Sequence, residues 1–416
     1  DSERLAAFLE NNNWHETSVI NQAKLIIINT CGIRQSAEDR VYGLINQIRK
    51  KNKIAKMVVT GCLSRRLDVQ KRLRGKVDIF LPASSMPDLF KLLDQKIKQS
   101  PLSLDEVRVL QGEKYLSILP KYQSSFSAFV PIGNGCNNFC SYCVVPYARG
   151  REVYRLAPEI IKEIQGLVRL GYKEIILIAQ NVNSYRSRNY DFSYLLKNIA
   201  EIKGDFWIRF SSSHPKDVSL DLLKILAQYK KICPHLHLAV QSGDNQILKA
   251  MNRGYTVEKF LDLINQARKL RPELAITTDA IVGFPGETNK QFNNTVRLFK
   301  KAKFDLAYIS RYSPRPYTVA YQMLDNVNLA EKKRREQLLN SVLEKTAISK
   351  NKKYLKKAVR ILIEGINKNG LYYGKTGSYK NVIVSGDYQA NKEVVGNFVA
   401  VKINQADAFG LAGELL

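Results

Sequence analysis

Six short apolar runs recur through the middle of this 416-residue chain: SFSAFVPI (125–132), EIILIA (174–179), FWIRF (206–210), HLHLAV (235–240), LAITTDAIVG (274–283) and LAYIS (306–310). Helix-patterned stretches such as PEIIKEIQGLVRL and VEKFLDLINQARKL separate them. Strands joined by helical crossovers lie parallel, and because the crossover keeps one hand, successive units curl the sheet toward a barrel. A closed barrel takes eight such units, so six predict an open, partial one. The loops that follow the strands carry the chemistry in barrels of this kind. Here they hold Cys136, Cys140 and Cys143; Gln180-Asn181-Val182-Asn183; Ser211-Ser212-Ser213-His214-Pro215; Gln241-Ser242-Gly243-Asp244; Phe284-Pro285-Gly286-Glu287; and Arg311-Tyr312.

A second α/β pattern precedes the barrel. KLIIINT (24–30), a helical stretch to about 50, MVVTG (57–61), a basic helix, VDIFLP (77–82) and PDLFKLLDQKIK predict a parallel sheet with its own helices. Strand ends of a parallel sheet share one edge, which makes neighbours of Cys31 and Cys62. The alternative for each is a small buried hydrophobe. A polar stretch at about 99–122 reads as a linker. After the sixth barrel run, the charged helix LAEKKRREQLLNSVLEKTAISKNKKYLKKAV leads into VRILIEGI, LYYGKTG, NVIVSG and FVAVKIN, the pattern of a small antiparallel, OB-like barrel. The expected class is therefore α/β in three parts, over residues 1–104, 122–352 and 355–416.

Charge points to the partner. With 65 Lys+Arg against 38 Asp+Glu, the net charge of +27 favours a polyanion, and residues 331–380 alone hold 14 basic against 4 acidic residues. Lys352, Lys353, Lys356, Lys357, Arg360 and Lys375 are the candidate phosphate contacts, a solvated charged face being the alternative for the helix. A hydrophobic fraction of 45% excludes a disordered chain. No apolar run reaches the length of a membrane span, and the opening DSERLAAFLENNNWHETS lacks the parts of a signal peptide, so a cytoplasmic location without membrane contact is expected.

Cys136, Cys140 and Cys143 have the spacing C-x3-C-x2-C after a strand. Structural zinc takes four ligands, whereas three clustered thiolates suit a [4Fe–4S] cluster with one iron open to another ligand. Zinc would need Cys233 or a histidine as its fourth ligand, and Cys233 precedes the fourth barrel strand, at the opposite end. His235 and His237 alternate on that strand and are expected to pack or hydrogen-bond inside the barrel. Glu287 is expected to cap the next helix or shape its loop.

This spacing on a six-unit barrel is the signature of the radical S-adenosylmethionine superfamily. NTCGIRQSAEDRV, VVTGCLSRR, GCNNFCSYCVVPYARGRE, QNVNSY, SSSHPKD, HLHLAVQSGDNQILKAMNRGYT, DAIVGFPGET and YSPRPYTVAYQM occur in that order before a basic barrel like a TRAM domain. Over nearly the whole chain this resembles the methylthiotransferases, most closely the branch acting on N6-dimethylallyladenosine of tRNA.

The resemblance implies two [4Fe–4S] clusters and S-adenosylmethionine, with no side chain singled out as a catalytic acid or base. Cys136, Cys140 and Cys143 are expected to hold the radical cluster. Tyr142 is expected beside the adenine of the cofactor, and Gln180, Asn181, Ser213, His214 and Gln241 along its pocket. Cys31 and Cys62 match two ligands of the auxiliary, sulfur-supplying cluster. The third would precede Asp1-Ser2, which implies a start that is truncated. The implied reaction is methylthiolation of carbon 2 of the modified adenosine at tRNA position 37, in the anticodon loop. Sister branches act on threonylcarbamoyladenosine in tRNA or on an aspartate of ribosomal protein S12, and a zinc-stabilised RNA-binding protein without catalysis is the reading from another class. An electron donor such as flavodoxin or ferredoxin and a monomeric state complete the expectation. Two positions depart from the family's pattern: Tyr317 stands where Gly is usual, and Lys375, where Arg is frequent, lacks the planar fork of a guanidinium.

Overall fold

In the computed structural model, residues 1–32, 35–94, 115–385 and 394–416 are described. Most of the expected linker therefore lies outside the described residues, as does the end of PDLFKLLDQKIK. The chain divides into two compact units, one made of 1–123, 133–155 and 313–322, the other of 124–132, 156–312 and 323–416.

The first unit contains the expected parallel sheet, in the order β1 (Leu25–Thr30), β2 (Lys56–Gly61), β3 (Ile79–Phe80). Helix Gln35–Lys51 follows β1 and buries Val41, Tyr42, Ile45 and Ile48 against Met57 and Val59 of β2. The third strand is only two residues long, although backbone bonds from Asp78 to Met57 and from Leu81 to Val59 extend its pairing. The helix Ser2–Glu10 was not expected; its Leu5 joins Val58, Ile79 and Leu81 on the other face of the sheet.

The second unit begins with β4 (Ser127–Pro131), after which β5 (Gly133–Asn134) and β6 (Val153–Tyr154) form a small antiparallel ribbon of the first unit that frames the cysteine loop. The strands of the second unit continue with β7 (Glu174–Ile178), a short hairpin of β8 (Arg186–Ser187) and β9 (Tyr190–Asp191), β10 (Trp207–Phe210), β11 (His235–His237), β12 (Ala275–Val282) and β13 (Leu306–Arg311). β4, β7 and β10 pair in parallel, as do β11, β12 and β13. Parallel bridges Ile208↔Ile232 and Ser213↔Leu238 join the two sheets into one six-stranded surface, β4-β7-β10-β11-β12-β13. Among the described residues β13 does not pair with β4, so the barrel is open, with all six expected strands in place.

Helix Leu329–Asn351 is not simply solvated. Lys332, Arg335, Leu339, Leu343, Ala347 and Asn351 form a buried stripe at helical spacing that packs on β13 and on helix Asn289–Ala302. The chain then closes a five-stranded barrel, β14 (Ala358–Ile366), β15 (Tyr372–Thr376), β16 (Asn381–Ser385), β18 (Leu411–Leu415) and β17 (Phe398–Ala406) in spatial order. Its last strand was not expected, and β18 joins β16 in parallel, so closure is not wholly antiparallel. Among the described residues no helix is long and apolar enough to cross a membrane.

Candidate active site

The cysteine loop is shaped by backbone that only glycine tolerates. Gly135 has φ +87°, and a Cβ there would meet the Arg151 carbonyl oxygen at 2.1 Å. The Cys136 amide donates to the Gly150 carbonyl (3.1 Å) and the Cys143 amide to that of Cys140 (2.9 Å). Asn137 and Glu152 exchange bonds across the loop (3.2 Å each way), and Tyr154 on β6 donates to Glu152 at 2.6 Å. Cys136 and Cys140 are buried and Cys143 is half-buried; burial pushes the Cys136 thiol up. Two N–H groups already aim at sulfur, Asn138 Nδ2 at Cys136 and the Val145 amide at Cys143, each at 3.5 Å.

Among the described residues no three His, Cys, Asp or Glu side chains gather around a single metal ion. Three soft sulfur donors spread along one loop, two of them with N–H partners, fit a polynuclear iron–sulfur cluster, whose properties depend on such bonds. Cys233, one of the candidate fourth ligands for zinc, packs instead with Trp207 and Leu362, and its thiol is pushed up to about 11 by burial.

Cys31 and Cys62 follow β1 and β2, and the sheet brings their backbones together. Cys62 donates its amide to the Thr30 carbonyl (2.9 Å), and Gly61 takes φ +83° because a Cβ would meet that same oxygen at 2.3 Å. A charge cluster that sequence reading missed lies in this unit. The Glu38 carboxylate receives Arg66 Nη1 at 2.5 Å, the Tyr42 hydroxyl at 2.6 Å and Arg315 Nη1 at 3.4 Å. Arg66 also pairs with Asp68, so the two guanidiniums are matched by two carboxylates, and the Cys31 thiol is within electrostatic reach of Arg315.

The strand ends of the second unit carry a separate network. The His214 amide is bound by Asn183 Oδ1 (2.9 Å) and Asn181 Oδ1 (3.3 Å), Asn183 Nδ2 returns a bond to the His214 carbonyl (2.9 Å), and Asn181 Nδ2 donates to Asp217 (2.8 Å). His214 Nδ1 accepts from the Lys216 amide (3.3 Å), so the ring proton sits on Nε2. Buried Nε2 and the buried hydroxyl of Ser213 have no hydrogen-bond partner among the described residues. Buried polar atoms are rarely left so, and both donors fit a bound carboxylate or similar acceptor. Asn181, Ser213 and His214 are thus brought together, whereas Asn181 has its amide committed to holding the loop. Gln241, with φ +70°, is tied separately to β12 through its amide and the Asp279 carbonyl (2.8 Å). Gln180 and Tyr142 are half-buried. Glu287 does not cap the next helix: Thr288 does, in a capping box with Gln291. Glu287 instead accepts the Gly283 amide and pairs with Arg335, both at 2.7 Å, shaping the loop.

Of the candidate phosphate contacts, Lys352, Lys353, Lys356 and Lys357 are exposed. Arg360 pairs with Asp205 at 2.5 Å and lies 3.8 Å over the Phe398 ring, and Lys375 grips both oxygens of Glu364 at 2.7 and 2.8 Å. Those two are committed to contacts within the fold.

Family models match in three places: the radical SAM superfamily over 130–299, the uncharacterized protein family UPF0004 over 1–81 and the TRAM domain over 352–416. The tRNA-2-methylthio-N(6)-dimethylallyladenosine synthase of Clostridium tetani is 40% identical over all of this chain and 93% of its own length. That of Caldicellulosiruptor saccharolyticus is 42% identical, over all of this chain and 89% of its own. Among solved structures, the radical S-adenosylmethionine methyltransferase TsrM from Kitasatospora setae, with cobalamin and a [4Fe–4S] cluster bound, superposes with TM-score 0.56 at 14% identity, over 77% of this chain and 73% of that one. That likeness is one of fold. By its relatives of about 40% identity, end to end, this chain belongs to the tRNA-2-methylthio-N(6)-dimethylallyladenosine synthase family of radical S-adenosylmethionine proteins.

Proposed function

We propose that this chain is a tRNA methylthiotransferase that installs a methylthio group at carbon 2 of N6-dimethylallyladenosine at position 37, next to the anticodon. The observation that carries the reading is the end-to-end similarity to synthases of that name, in a chain whose three-thiol loop follows a partial-barrel strand. When bound, the iron–sulfur clusters and S-adenosylmethionine supply the hydrogen-abstracting radical, the sulfur and the methyl group.

The protein's part is to hold and to orient. Cys136, Cys140 and Cys143 would ligate the radical cluster, with Asn138 Nδ2 and the Val145 amide donating to two of the sulfurs. Cys31 and Cys62 would serve the auxiliary cluster, Cys31 within electrostatic reach of Arg315. Ser213 Oγ and His214 Nε2–H are the donors we assign to the carboxylate of S-adenosylmethionine, with Gln180 and Gln241 lining that pocket and Asn181 positioning its loop; Tyr142, on the cysteine loop, is assigned to the adenine. Lys352, Lys353, Lys356 and Lys357 would meet tRNA phosphates. The boundaries 1–104, 122–352 and 355–416, a cytoplasmic location, a monomeric state and a flavodoxin- or ferredoxin-type donor belong to the same proposal.

Expressing the full gene product in a bacterium without its own synthase, then analysing tRNA nucleosides by mass spectrometry, tests it. The expected result is methylthio-dimethylallyladenosine that disappears with Cys136→Ala. Methylthiolated threonylcarbamoyladenosine in its place moves the protein to the sister branch.

A further inference from the structure

The inner face of the partial barrel carries one carboxylate that none of the roles above uses. Along β12, Ile276, Thr278, Ala280 and Val282 are at most 1% exposed and face the helices, so Thr277, Asp279 and Ile281 line the interior. Asp279 stands directly across from Tyr308 in the β12–β13 register, and its side chain is 38% exposed. Tyr308 is 48% exposed and Phe129 on β4 49%, the latter flanked along its strand by buried Ala128 and Val130. A barrel that leaves a large aromatic ring exposed beside a carboxylate, and a second on its first strand, is arranged for a flat ligand with an N–H group.

Hydrogen bonds fix how that carboxylate is presented. His237 Nε2 lies 3.3 Å from Asp279 Oδ2, while Thr277 Oγ1 lies 3.0 Å from His237 Nδ1 and 2.9 Å from His235 Nε2. With Asp279 ionised, His237 donates from Nε2, so its Nδ1 accepts the single hydroxyl proton of Thr277, and Thr277 in turn accepts from His235. The relay is satisfied in one direction only, and it leaves Asp279 Oδ1 as an acceptor with no protein donor among the described residues. Burial pushes the His235 imidazole down to about 3, so it is neutral, and it donates to Thr277 from Nε2. His235 is clamped from beyond by the Tyr379 ring, 4.9 Å away.

We propose that Asp279, positioned by His237, recognises the N6 edge of the target adenine, its Oδ1 accepting the single N6–H and its charge excluding bases whose N6 substituent bears a carboxylate. This rests on the function proposed above and names the specificity device of that same site. A dimethylallyl arm is neutral and leaves one N–H on N6, and the open rings of Tyr308 and Phe129 suit its hydrocarbon and the base plane. A threonylcarbamoyl arm brings a second carboxylate against the first, which is repulsive in an enclosed site.

The test is binding and single-turnover methylthiolation of synthetic anticodon stem-loops by the cluster-loaded protein. The wild type should bind the N6-dimethylallyladenosine stem-loop about tenfold or more tightly than one carrying N6-methyl-N6-dimethylallyladenosine, which has no N6–H. Asp279→Ala should bind both alike while still cleaving S-adenosylmethionine in the absence of RNA at the wild-type rate. Asp279→Asn, which keeps the shape, should gain affinity for the threonylcarbamoyladenosine stem-loop by about tenfold. Undiminished discrimination in Asp279→Ala, or no gain in Asp279→Asn, overturns the proposal while leaving the parent activity standing. A wild type that neither binds nor modifies the dimethylallyl stem-loop sinks both.

Discussion

Burial, reinforced by Arg253 and Lys216, pushes the His214 imidazole down to about 2, so folded His214 stays neutral wherever the protein is active. The unfolded chain takes up that proton near 6.5 and the folded chain does not. Stability from this residue is therefore complete above pH 6.5 and lost as pH falls below it, by about 1.4 kcal/mol per unit. Urea denaturation between pH 7 and 5 should show that slope, flattened in His214→Gln. The same variant keeps an N–H near the Nε2 position and should raise the KM for S-adenosylmethionine by about tenfold, having lost the fixed ring geometry. Glu38 belongs to the same scale. It pairs with Arg66 and Arg315 inside the fold, and Glu38→Gln leaves Arg66 with Asp68 alone and sets the buried Arg315 guanidinium against a neutral amide. The expected loss is about 3–5 kcal/mol, read by denaturant midpoint, because a stranded buried charge keeps its desolvation cost. A drop below about 1 kcal/mol would mean that solvent reaches the cluster.

At the scale of elements, the loop between β13 and helix Leu329–Asn351 holds a residue in conflict with its backbone. Tyr317 has φ +71° and is half-exposed, at the position where Gly was noted as usual. A bulky side chain in the left-handed region costs about 1–2 kcal/mol. Tyr317→Gly should stabilise the protein by about 1 kcal/mol, whereas Tyr317→Ala should not, since Ala keeps the Cβ. Thermal melts of the two variants separate strain relief from loss of the ring. That anomaly was legible from the chain, as were the six barrel strands, because buried parallel strands read as short apolar runs between helical periods. Helix Ser2–Glu10 and β18 were not: the first is a single nine-residue helix with no side-chain cap, and LAGEL is too short and glycine-bearing to stand out. Cysteine spacing placed the candidate cluster ligands, since one loop supplies three of them. The Glu38–Arg315 pairing, 277 residues apart, and the Asn181–Asn183–His214 brace arise from the fold bringing distant loops together, and no local pattern encodes them.

At the scale of the molecule, the terminal barrel does two separable jobs. The loop after β15 seals the end of the βα barrel: Arg209, paired with Glu174 at 2.6 Å, donates to the carbonyls of Thr376 and Gly377, and Lys380 reaches Asp305 at 2.9 Å. Trp207, Cys233, Leu362 and Phe398 pack beside it. Removing residues 352–416 would uncover an apolar patch, leave Arg209 without its two carbonyl acceptors and take Lys380 from Asp305, so the truncated chain should aggregate rather than persist as an RNA-blind enzyme. Replacing Lys352, Lys353, Lys356 and Lys357 together by Ala should leave the melting temperature within a few degrees, because those side chains are exposed, yet weaken tRNA binding. If all four meet phosphates, the slope of log K against log salt becomes shallower by about 3, taking roughly 0.7 per single-strand contact. An unchanged slope would place the phosphate surface elsewhere on this strongly basic chain. A soluble, well-folded truncation would show that the seal at Arg209 and Lys380 is dispensable. Since Arg360 and Lys375 are spent on ion pairs, mutating them should move the melting temperature before it moves the salt dependence, the inverse of the lysine quartet.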